Sequence, residues 1–89
     1  MGDAAPSWDA GREQWQEIRN GRPIPAREQQ RRLAPPVPVT AWVFWERDGL
    51  ELVDTVAAHF AGRDVLVELR DGRQQLHGVW LAAQDARRR

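Results

Sequence analysis

The chain has 89 residues, a formal net charge of zero and no cysteine, so disulfides and zinc–thiolate sites are excluded. A domain this small buries only about 60% of its unfolded surface and is marginally stable alone. No apolar run approaches the ~20 residues of a membrane span, and the N-terminus lacks a basic-then-apolar signal pattern, so the expectation is a cytoplasmic protein with no membrane partner.

Residues 1–6 have nothing to bury and are expected to fray. A helix is expected from Ser7 to Asn20 (residues 8–19), with Ser7 as N-cap and Asp9 in the first turn. Trp8, Trp15 and Ile18 would share one face, and Asn20-Gly21 followed by Pro23 and Pro25 would stop it. Gly11 weakens this helix, which needs a surface against which to pack its tryptophans. Ile24–Leu33 admits a short helical turn after Pro25. Ala34–Pro38 (APPVP) reads as extended polyproline-like linker, which makes residues 1–36 an N-terminal arm.

From Val37 the pattern has period two, and residues 37–89 form the expected folded domain. Val37, Val39, Ala41, Val43 and Trp45 point one way, whereas Thr40, Trp42, Phe44 and Glu46 point the other. Arg47-Asp48-Gly49 signals a hairpin into Leu50–Val53. Val65–Leu69 reads as a buried strand, and Arg70-Asp71-Gly72-Arg73 as a second Asp-Gly turn, leading to a partner strand over Gln74–Leu81. Asp54–Gly62 fits either a helix capped by Asp54 or a strand turning at Ala61–Asp64. The strand is preferred because it completes a continuous antiparallel meander, and the helix would make the fold α+β.

After the strand at Val79–Leu81 comes a short polar turn and then a small apolar residue, Ala86, leading into the terminus. This ending, with the meander before it, resembles the SH3-like and Tudor-like small barrels. The fold class is therefore all-β: an antiparallel barrel of about five strands with a helical or partly disordered arm. The acidic loop and paired Tyr of signalling SH3 domains are missing, and the chain has no Tyr at all. No binding residue is carried over from that family.

Catalysis is not expected. Ser7 is the only Ser, Cys and Tyr are absent, the seven glycines make no phosphate-cradling loop, and no cofactor is implied. His59 and His77 read as ordinary half-buried or surface residues, without ligand spacing for a metal. The aromatic surplus says more. If Val39, Ala41, Val43 and Trp45 fill the core, Trp42 and Phe44 form an outer apolar patch. Either the arm covers it through Trp8, Trp15 and Ile18, or it meets a protein partner or a second copy. Those five residues are the candidate partner-binding set.

The charge is unevenly spread: residues 37–86 carry four Arg against eight acids, whereas three Arg close the chain. An alternative reading is therefore nucleic-acid binding by Arg27, Arg31 and Arg32 of the arm with Arg87, Arg88 and Arg89. Thirteen Arg without any Lys fits a GC-rich coding sequence, which weakens the case that Arg was selected for phosphate. Small barrels of this type also resemble accessory proteins of mobile elements, an analogy of fold and size alone.

Overall fold

The computed structural model describes residues 14–89. Ser7, Trp8 and Asp9 of the expected helix, and the first residues expected to fray, lie outside the described residues. Within them the protein is all-β. β1 (Arg31–Trp45), β2 (Gly49–Ala61), β3 (Asp64–Glu68), β4 (Gly78–Ala82) and β5 (Ala86–Arg88) form one antiparallel sheet in the order β4-β3-β2-β1-β5. A 3₁₀ turn at Ala83–Asp85 carries the chain from β4 to β5, matching the expected strand, turn and short strand ending. No helix among the described residues is long and apolar enough to cross a membrane.

β1 alternates as its sequence requires. Val39, Ala41, Val43 and Trp45 are at most 4% exposed and meet Ala57, Val67, Leu69 and Leu81 in the core. The ambiguous Asp54–Gly62 stretch is strand as far as Ala61, forming the second part of the 13-residue β2. β2 turns back through a two-residue loop, with Ala61 paired to Asp64 and Gly62 at φ 58°. Arg63 keeps negative φ. One left-handed residue at the first loop position is the pattern of a type II′ hairpin, which gives Gly62 its place. At the other end of β2, Trp45 pairs with Gly49 at φ 78°, so the first Asp-Gly signal closes a three-residue loop with Gly in the left-handed position.

Three expectations need correction. First, the described part of the arm is not helical. Residues 15–22 run extended with a turn at Arg19-Asn20, where the Gly21 N–H donates to the Ile18 carbonyl at 3.0 Å. The segment is drawn onto two strand edges: Arg19 N–H donates to Phe44 O and Glu46 N–H to Glu17 O, whereas Arg22 N–H donates to Trp80 O. Open edges on β1 and β4 offer it partners that a short isolated helix in water would have to beat. Only the short turn after Pro25 appears, as a 3₁₀ turn at Arg27–Gln29.

Second, β1 begins at Arg31 rather than Val37, so Pro35 and Pro36 lie inside the strand and not in a linker. Arg31 and Arg32 pair with Phe60 and His59, the ladder slips, and pairing resumes at Val37 opposite Ala57. Proline has no N–H to give a ladder, so residues 33–36 bulge out against Ala58 alone.

Third, the second Asp-Gly turn does not close a tight hairpin. β3 ends at Glu68 and β4 starts at Gly78, with Leu69–His77 between them as a loop. A type I′ turn needs positive φ at both central residues, and neither Asp71 nor Gly72 has it. The Asp71 carboxylate instead accepts the Arg73 N–H at 2.9 Å, an Asx-type turn that redirects the chain.

Candidate interaction surface

Outside the core, the β1–β2 hairpin carries a second set of aligned side chains. Trp42 pairs across the strands with Leu52, and Phe44 with Leu50, so four large apolar side chains stand in two adjacent rows on the solvent face. Phe44 is 42% exposed, Leu50 50% and Leu52 58%. Trp42 is half-buried, with the Arg87 guanidinium 5.8 Å from its ring centroid. Thr40 and Asp54 end the ladder with a hydroxyl-to-carboxylate hydrogen bond of 2.7 Å.

Asn20 fixes one margin of this face. β5 pairs with β1 only from Val39 to Ala41. Where it stops, the Asn20 carboxamide takes its place: its Nδ2 donates to Trp42 O at 2.8 Å, and its Oδ1 accepts the Phe44 N–H at 3.0 Å. A carboxamide has the donor and acceptor of a peptide group, so one side chain continues the ladder. The same Nδ2 reaches Asp85 at 3.2 Å, tying the 3₁₀ turn to the segment.

Arg73 holds the tip of the hairpin. Its guanidinium stacks over the Trp45 ring at 3.9 Å and bridges Asp48 at 2.9 Å, Glu51 at 2.6 Å and Asp71 at 2.8 Å. Trp45 Nε1 donates to the same Glu51 carboxylate at 2.9 Å, and Gln16 N–H donates to Arg73 O at 2.8 Å. Three separate chain segments therefore meet at one cation. Hydrogen bonding from Arg73 holds the Asp71 carboxyl down at about 2, below its ordinary 3.8, although burial opposes the shift. Asp48 is lowered by hydrogen bonds from Gln16 and then Arg73. The Arg73 guanidinium is held in its charged form still more firmly, first by Asp71.

The candidate residues do not stay together. Trp42 and Phe44 share the outer face, but Ile18 forms a bridge with Trp45 and packs beside the core. Trp15 is half-buried near Arg73 and Leu76. Neither covers Trp42 or Phe44, and Trp8 is outside the described residues. Arg27, Arg31 and Arg32 are exposed around the start of β1, and Arg31 Nη1 donates to Glu28 O at 2.8 Å. Arg87–Arg89 instead run beside β1, where Arg89 donates to Val39 O at 3.1 Å and Thr55 O at 2.9 Å. His59 and His77 line one cleft of about 500 Å³ with Leu66, Leu76 and Trp80. No group of three potential metal ligands occurs among the described residues.

Leu50, Leu52, Asn20 and Arg73 also belong to the site, although the sequence pattern does not single them out as such. Leu50 and Leu52 were within reach of the sequence, because counting back from the Asp48-Gly49 turn puts them opposite Phe44 and Trp42. Comparison with protein-family models, with curated proteins and with solved structures finds no match for this chain.

Proposed function

We propose that the protein is a non-catalytic protein-interaction module of the SH3-like barrel type, and that it holds a protein partner against the outer face of the β1–β2 hairpin. The strand order and the 3₁₀ turn before the last strand support the barrel reading. The observation that carries the interaction reading is the double row Trp42–Leu52 and Phe44–Leu50, in which three of the four side chains are exposed on a regular sheet. Contiguous apolar surface of this kind, with a tryptophan anchor, is what interface centres are made of. The charges at its margin are mixed, with Asp54 and Glu46 against Arg19 and Arg87, which favours protein over phosphate.

The test is Phe44→Ser combined with Leu52→Ser, two positions that contribute nothing to the core. Wild type and variant, both verified as folded by NMR, are used to capture partners from the source cell. A captured partner is then purified and its affinity measured for each. The variant should bind it about tenfold or more weakly, the equivalent of ~1.4 kcal/mol. If the variant keeps every interaction of the wild type, the assignment is wrong. Salt-dependent binding to DNA or RNA that the variant retains would move the function to the arginines.

A further inference from the structure

A second apolar site lies on the outward side of the β2–β3–β4 part of the sheet. Val65 and Val67 of β3 turn into the core, so Leu66 between them faces out. Its ladder partners, His59 of β2 and Trp80 of β4, stand beside it in one row. Trp80 is only 5% exposed yet lies outside the core cluster, and the chain folds back beside this row from two sides. On one side is the arm, where Arg22 N–H donates to Trp80 O at 2.7 Å and Ile24 follows. On the other is the loop Leu69–His77, which brings Leu76 and His77. Together they line the cleft of about 500 Å³, a volume within the range of small-molecule sites. None of Trp42, Phe44, Leu50 and Leu52 lines it, so it is separate from the interaction face.

The walls keep their shape through bonds of their own. Gln74 Nε2 donates to Leu76 O at 2.7 Å, and Leu69 N–H donates to His77 O at 2.9 Å, which fixes the loop. Arg22 is committed to Asp64 at 3.4 Å. His59 differs from these. Its Nδ1 is buried and meets no hydrogen-bond partner among the described residues, although the side chain lines the cleft. Buried polar atoms are almost always paired, so this one points to a ligand. Glu68, which also lines the cleft, meets no cation among the described residues. With Arg22 taken and a carboxylate present, an anionic ligand is disfavoured here.

We propose that this cleft binds a small uncharged aromatic molecule carrying a hydroxyl group. Its ring packs among Leu66, Leu76 and Trp80, and its hydroxyl bonds to His59 Nδ1. A hydroxyl suits that atom in either tautomer, since it can donate to a bare nitrogen or accept from an N–H. An aromatic ring suits the lining, because Trp80 and the imidazoles of His59 and His77 give it faces and edges to pack against. A hydrocarbon of the same shape would leave Nδ1 unpaired, and a carboxylate in place of the hydroxyl would meet Glu68.

The probe is p-cresol, with toluene and 4-methylbenzoate as controls, titrated into the full chain at about pH 8, where an ordinary histidine is neutral. Binding is followed by NMR of the backbone amides and the histidine ring nitrogens. p-Cresol should shift the Ala58, Leu66 and Gly78 amides and the His59 ring, and bind about tenfold more tightly than toluene, the difference one hydrogen bond makes. 4-Methylbenzoate should bind more weakly than p-cresol. His59→Phe keeps a flat ring without the nitrogen, so it should bind p-cresol and toluene alike. Leu76→Ser, at a side chain 65% exposed, leaves the core intact and should weaken both ligands about threefold or more. If His59→Phe does not fold, the ratio of p-cresol to toluene on the wild type and the Leu76→Ser result decide. No shift at the cleft with millimolar p-cresol overturns the proposal. So does equal binding of p-cresol and toluene by the wild type, or a preference for p-cresol that His59→Phe retains. Shifts confined to Phe44 and Leu52 overturn it too. The Phe44/Leu52 serine variant should bind p-cresol as the wild type does, so the cleft and the interaction face are tested apart.

Discussion

Replacing Arg73 by Gln should show how much of the fold depends on one cation. The substitution removes the stack over Trp45 and the bridges to Asp71, Glu51 and Asp48. A partly desolvated cation–π contact contributes about 1 kcal/mol. The ion pairs with Asp71 and Glu51 contribute about 0.5–1 kcal/mol each, as both are partly exposed. Asp48 is left out of the sum because it is the most exposed of the three. The total is about 2–3 kcal/mol, a large share of what so small a domain has. With a urea m-value of about 1 kcal/mol/M, the midpoint should fall by about 2–3 M near neutral pH. The pH dependence follows from Asp71. Its carboxyl is depressed in the folded state, from 3.8 to about 2, so its contribution is fully present above the unfolded value and lost as pH falls through that window. The difference between wild type and Arg73→Gln should therefore be constant above about pH 5 and shrink between pH 4 and 2. Equal midpoints at neutral pH, or a gap that does not narrow in acid, would refute the clamp.

Asn20→Ala should destabilise the protein by about 1–2 kcal/mol, because it leaves Phe44 N–H and Trp42 O without their partner at a half-covered edge. Hydrogen exchange at the Phe44 amide should rise in step, and an unchanged amide would mean that water replaces Asn20 at no loss. Gly62→Ala should lower stability by about 1 kcal/mol in thermal unfolding, through φ 58° alone, since an added Cβ meets nothing within 4 Å.

What could be read from the sequence is what depends on neighbours in the chain. The alternation of Val39, Ala41, Val43 and Trp45 sets which face of β1 is buried, and Gly49 and Gly62 sit where tight turns need positive φ. The strand at Asp54–Ala61 is legible through the continuous meander it completes and not through local propensity. The misses have distant causes. The arm segment is extended because strands that come later in the chain offer edges at Phe44 and Trp80. The APPVP prolines belong to β1 because Ala58 can lie opposite a bulge. Asp71-Gly72 fails as a hairpin because Asp71 is committed to Arg73. None of these partners is recognisable from spacing within the segment itself.

A small sheet has edges to cover, and here the covering is selective. β4 receives Arg22, and β1 receives β5, then Asn20, then Glu17 and Arg19. Each device is local: a strand of three residues, one carboxamide, two backbone groups. A chain able to close β1 in three different ways could have guarded β2 with one proline or one bulge, as it does at residues 33–36. Leu50–Asp54 has neither, and it sits at the margin of the most exposed apolar rows of the hairpin. Covering costs ordering entropy, and an uncovered edge risks indiscriminate pairing, so along Leu50–Asp54 the charges of Glu51 and Asp54 are left to guard the edge.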